Sequence, residues 1–297
     1  MEERNRPLPP PGGGQLSPPP PIYPVTADIP PQSPYHHSPA PTTRRNGGIA
    51  GGLVAALAAA WAYGKYVLLL AFKVPALATV GSALISLVAY AFLLRSAWVA
   101  VGLVLMIFVH EMGHVAEIRR QGMQATAPIF IPFVGAAIFQ RSHPTSAIKQ
   151  AQIGIAGPIA GTLGATAALV LFGSTHWIYF LVWAYYGFLI NLFNLIPFGM
   201  LDGGWILAPV SKWVQVAGLA VLVGLFLAQL VTPLVLIIFV IGIPMVIQRF
   251  RDRALDAHLT SGPTAARYAV GAAWLALVVY LAFAMYQADT MLSAFVR

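Results

Sequence analysis

The sequence predicts an all-α polytopic membrane protein: a bundle of about six to eight transmembrane helices with a short re-entrant, β-hairpin-like loop and a disordered N-terminal tail. Three observations carry this. The 297 residues are 58% hydrophobic and 9% charged, where a soluble domain carries about 25% charged residues. The apolar residues fall in repeated runs of about 17 to 25, enough helix to cross a hydrocarbon core of roughly 30 Å. The interruptions are proline, glycine and basic residues, which end helices or mark membrane boundaries.

Taken in order, residues 1–48 hold fourteen of the 24 prolines and few aliphatic residues. Such a tail buries no core and reads as disordered. Its Pro-rich runs could engage a cytoplasmic partner, with Ser17, Ser33 and Ser38 as Ser-Pro sites, although a simple tether explains the composition as well. There is no apolar signal-peptide core. From Ile49 to Arg297 the chain reads as one membrane-embedded domain. Its apolar segments lie near 49–72, 77–94, 97–118, 151–172, 177–201, 214–231, 233–248 and 268–287. Lys65 and Lys73 make 49–72 a poor span, and a non-crossing segment there puts the tail in the cytoplasm. Arg119, Arg120, Arg141 and Lys149 assign the 119–150 loop to the cytoplasm, and Arg249, Arg251, Arg253 and Arg267 assign 249–267 to the same side. The expected location is the cell (inner or plasma) membrane, surrounded by lipid. The net charge of +8 follows from these loops, and nucleic-acid binding is excluded as a function class.

Chemistry enters in the segment 97–118. His110-Glu111-Met112-Gly113-His114 is H-E-x-x-H, which on a helix puts two imidazoles on one face, four residues apart, with Glu111 beside them to act as a base. A charged carboxylate at membrane depth costs at least about 2.5 kcal/mol, so such a cluster is functional by default. The chain has no cysteine, so a bound metal needs imidazole or carboxylate ligands. Catalytic zinc takes three protein ligands and keeps an open position. Between Pro30 and Phe250 the acids are Glu111, Glu117 and Asp202. Glu117 adjoins Arg119 and Arg120 and reads as an interfacial ion-pair partner, which leaves Asp202 as third ligand. Asp202 could also cap the helix that follows it. Pro197, Gly199, Gly203 and Gly204 break the segment before it, and broken backbone at membrane depth needs a protein-lined or wet cavity.

These two motifs, His110-Glu111-x-x-His114 and Asn194-x-x-Pro197-x-x-x-x-Asp202-Gly203, in this order, resemble the site-2 protease family of intramembrane zinc metalloproteases (M50-like), over roughly 77–210. The resemblance implies one zinc ion on His110, His114 and Asp202, catalysis by Glu111, and help from Asn194 in substrate binding or transition-state stabilisation. It implies transmembrane proteins as substrates and regulated proteolysis as the setting. Some members carry PDZ or CBS domains; the connections at 119–150 and 249–267 are too short for either, the compact form of the family. The mechanism expected is hydrolysis by zinc-activated water with Glu111 as general base, then acid.

Two further stretches bear on this. Pro128–Gln140 reads as two extended pieces around a turn, either a re-entrant hairpin that aligns an extended substrate or a loop packed on the bundle. Gly154, Gly157, Gly161 and Gly164 form a small-residue face that reads as close helix packing. The role of Asn191 stays open, and His143 is not needed as a ligand. Two other functions use the same residues: a membrane zinc transporter, and an inactive relative acting as a scaffold.

Overall fold

A computed structural model describes Ala62 and residues 75–140, 144–231 and 235–296. The tail to residue 48, the segment 49–72 apart from Ala62, and His143 lie outside the described residues. Helix α1 is Pro75–Leu94 and α2 is Ala97–Arg120. Between them Arg95 takes a left-handed turn (φ 51°) and Ser96 caps α2, its side chain accepting from the Val99 amide, as a polar residue just before an apolar run is suited to do. The chain then makes a two-stranded antiparallel hairpin, β1 Ile129–Ile131 and β2 Gly135–Ala137, with Phe130 opposite Ala136.

Three side chains on one stripe of α1 hold this hairpin. The Thr79 hydroxyl donates to Pro128 O at 2.7 Å. The Phe130 and Phe133 amides donate to Ser82 Oγ at 3.0 Å and Tyr90 OH at 3.1 Å. Since the Phe130 amide points at α1, Phe130 and Ala136 form a non-hydrogen-bonded pair, and the backbone groups of Ala136 face the opposite edge of the hairpin. The expected extended pieces are present, anchored on α1.

Helix α3, Ala147–Thr175, starts at a Ser146 cap and packs on both α2 and α4, the latter spanning Ile178–Asn194. The apolar run read as one segment to residue 201 ends as a helix at Asn194 because Pro197 cannot continue it and Gly199 turns with φ 53°. A six-residue helix α5, Asp202–Leu207, follows, then α6 Trp213–Leu227, α7 Val235–Arg251, α8 Arg253–Leu259 and α9 Thr264–Val296. Among the described residues, α1, α2, α3 and α9 are long and apolar enough to cross a membrane, and α4 and α6 are shorter apolar helices. The protein is a helical polytopic membrane protein, with one small hairpin among the described residues.

The main core joins Met106, Ala165, Leu181, Phe188, Leu195, Ile206 and Leu281, so α2, α3, α4, α5 and α9 share one interior. The broken stretch after α4 is wedged rather than loose. Phe198 is fully buried with Leu222 and Val246; Gly218 of α6 backs onto Pro197 O, and Gly242 of α7 onto the Phe198 ring. Beyond α5, Arg249 donates to Ala208 O at 2.7 Å and to Asp256 at 3.0 Å, and Arg267 donates to Pro209 O and Val210 O. Burial alone would raise the Asp256 carboxyl, but Arg249 and Lys212 hold it below its ordinary range. The last carbonyls after α5 are thus gripped by two guanidinium groups, a favourable pairing at the negative end of a helix.

Candidate metal centre

Two α2 residues one turn apart, His110 and His114, bring their Nε2 atoms to 3.1 Å of each other. Asp202, the first residue of α5, reaches both: Oδ2 lies 3.1 Å from His110 Nε2 and Oδ1 lies 3.4 Å from His114 Nε2. One ligand atom from each of the three lies within 4.8 Å of the other two. The carboxylate therefore faces the histidines. It is not the cap that the sequence also allowed: Asp202 is the first helical residue, the residue before it is Leu201, and no side chain caps this helix.

The direction of each imidazole is fixed from behind. His114 Nδ1 lies 2.8 Å from Ile153 O, and a carbonyl only accepts, so Nδ1 carries the proton. His110 Nδ1 lies 2.8 Å from Asn191 Oδ1. Neutral rings in these tautomers present Nε2 lone pairs at a carboxylate, with no donor between the three. Asp202 Oδ2 is buried without a hydrogen-bond partner, and buried acceptors are not normally left so. Three converging acceptors, two imidazoles and one carboxylate, fit a divalent cation, and the donor set is that of zinc with a position to spare.

Helix α3 is shaped around this site. A Cβ on Gly157 would lie within 2.2 Å of His114 Nε2, and one on Gly161 within 2.3 Å of Asn191 Oδ1. Gly113 on α2 answers in kind, since a Cβ there would lie within 2.3 Å of Ala156 O. The small-residue face expected to serve helix packing also leaves room for the side chains of the site. Proline at 158 removes the amide that would bond the Gly154 carbonyl, in the turn where Ile153 O turns to His114. Gly203 and Gly204 let α5 fold back on the broken stretch, because a Cβ at 203 would meet Leu195 O at 2.1 Å.

Glu111, next to His110 on α2, is buried. Glu117 forms the expected interfacial ion pair, accepting from Arg120 at 2.6 and 2.7 Å. Asn194 turns its amide nitrogen to Ile190 O of its own helix at 3.1 Å. The amide that touches a histidine is that of Asn191, one turn earlier, a residue that sequence reasoning left unassigned.

No curated protein matches the chain. Residues 98–176 match the family model described as Peptidase family M50, a stretch that contains α2 with both histidines and Glu111, the hairpin, and α3 with Gly157 and Gly161. The match ends before Asp202, so the third corner of the triangle rests on geometry alone. Over that stretch, with its helical membrane fold and converging acceptors, the chain is similar to Peptidase family M50, a family of zinc metallopeptidases.

Proposed function

We propose that this protein is an intramembrane zinc endopeptidase of the site-2 type, which cuts membrane-spanning segments of other proteins, with His110, His114 and Asp202 as zinc ligands and Glu111 as the catalytic residue. The observation that carries the reading is the meeting of two Nε2 lone pairs and the Asp202 carboxylate, with a buried Glu111 alongside. Held by His110, His114 and Asp202, a zinc ion would supply Lewis-acid polarisation and make water more acidic. Glu111 accepts the proton as water attacks and delivers it to the leaving amine. Asn194 lies at the end of α4 beside the broken stretch, where its free amide oxygen is available to a substrate strand.

A helical substrate hides its carbonyls in hydrogen bonds, so it must unwind before attack. The hairpin suits this. Its β1 edge is taken by Ser82 of α1 and its turn by Tyr90, which leaves the β2 edge, at Ala136, for an extended substrate by strand addition. Basic residues at the ends of α2 and α7, Arg119, Arg120, Arg249 and Arg251, support a cell-membrane orientation with the site towards the cytoplasm.

The purified protein, reconstituted in lipid with a quenched transmembrane peptide carrying a central Gly-Pro break, is expected to cleave it, to stop on zinc chelation and to recover on zinc addition. Ala136→Pro removes the outward amide of β2 without touching a hairpin hydrogen bond, and should raise KM for the peptide by about tenfold or more, the loss of one buried hydrogen bond at 1.4 kcal/mol. Zinc flux into vesicles without cleavage would favour a transporter. Zinc binding with neither cleavage nor flux would favour a scaffold.

A further inference from the structure

We propose that Asn191 is a positioning residue of the metal centre, which sets the tautomer and direction of the His110 imidazole; this rests on the zinc-peptidase reading above. Asn191 has no exposed surface in a helix otherwise made largely of apolar residues. A carboxamide buried there is costly unless its hydrogen bonds are made. Its two ends are used differently. Nδ2 donates to Gly187 O, one turn back in α4, at 2.6 Å. That contact fixes which way round the amide sits, since a carbonyl takes only the donor end. Oδ1 must then face His110 Nδ1, 2.8 Å away, and accept a hydrogen bond from its N–H. The remaining nitrogen, Nε2, is left as a lone pair aimed at Asp202 and His114.

The neighbouring helix is built to the same contact. Gly161 of α3 stands where a Cβ would come within 2.3 Å of Asn191 Oδ1 and 2.4 Å of Nδ2. Thus α4 supplies the amide, α3 yields the space and α2 presents the ring. His114 obtains the equivalent restraint from a backbone carbonyl, Ile153 O, so His110 depends on a side chain where its partner does not. Partners of this kind behind a ligating histidine commonly change metal affinity by about 10–100-fold when removed.

The test uses the full-length protein in detergent or lipid with zinc and cobalt as probes. Asn191→Leu keeps the volume and removes the acceptor. Asn191→Ser is too short to reach His110 and can bond back to the Gly187 carbonyl, so it serves even where the leucine variant fails to fold. Both are expected to weaken zinc about 10–100-fold in chelator competition and to shift the visible bands of the cobalt-substituted protein. Unchanged zinc affinity and an unchanged cobalt spectrum in either folded variant would overturn the proposal, even with a lowered melting temperature, which a purely structural role would also give. Failure of the unaltered protein to bind zinc or cobalt would overturn the zinc-peptidase reading itself, a distinguishable result.

Discussion

With Glu111 replaced by Gln, the protein is expected to keep its zinc and to lose peptide hydrolysis by on the order of 10²–10⁴-fold, the usual worth of a positioned general base. Glutamine matches glutamate in size and so preserves the packing of a residue that is buried on α2. It accepts no proton. The triangle of His110, His114 and Asp202 is complete without Glu111, so zinc content measured by metal analysis should stay near that of the unaltered protein. Cleavage of the reconstituted reporter peptide at an undiminished rate would refute the assignment of Glu111 as base. Loss of zinc together with activity would instead make Glu111 a ligand.

A single methyl group on the adjacent helix should do comparable damage. Gly157→Ala puts a Cβ within 2.2 Å of His114 Nε2 and 2.4 Å of Cε1, contacts that atoms do not sustain. The ring cannot turn aside without leaving Ile153 O, its partner on the same helix. Either the imidazole swings off its axis or α3 backs away from α2. Displacement near 1 Å at a reacting centre costs about 100-fold in rate, and zinc affinity should fall by at least the 10–100-fold typical of a disturbed ligand support. Gly173→Ala is the control on the same helix. A Cβ there meets nothing within 4 Å, and the change should leave zinc binding and cleavage intact. If Gly157→Ala cleaves and binds zinc as the control does, the cradle formed by α3 has been misread.

Much of this site was legible because membrane sequences are chemically sparse. His110 and His114 declare a shared face by their spacing, and Asp202 stands out among so few acids. The sequence could not say which way the Asp202 carboxylate turns, since capping and ligation both suit an aspartate at a helix start; the answer depends on Gly203 and Gly204 letting α5 fold against Leu195 and Gly199. Asn191 was less accessible still. It lies 81 positions from His110, and no local pattern links them until α2 and α4 are packed. The glycines of α3 had a visible period, but the period names a face and not the atoms opposite it. The break before Asp202 was legible in the same way as the histidines: Pro197 and Gly199 mark it in the sequence, and the helix ends at Asn194.

The depth of His114 within α2 has a consequence for where water and substrate meet. Arg120, the last residue of the helix, lies six positions further on, which at 1.5 Å per residue is about 9 Å. Water thus has only some three molecular diameters to travel from that polar end, a modest breach of a barrier roughly 30 Å thick. A peptide bond presented at the same level lies near one surface of the bilayer. On the proposed intramembrane activity, the cut would leave most of a spanning helix on one fragment and free the other with only a turn or two of apolar residues, too few to keep it in the lipid.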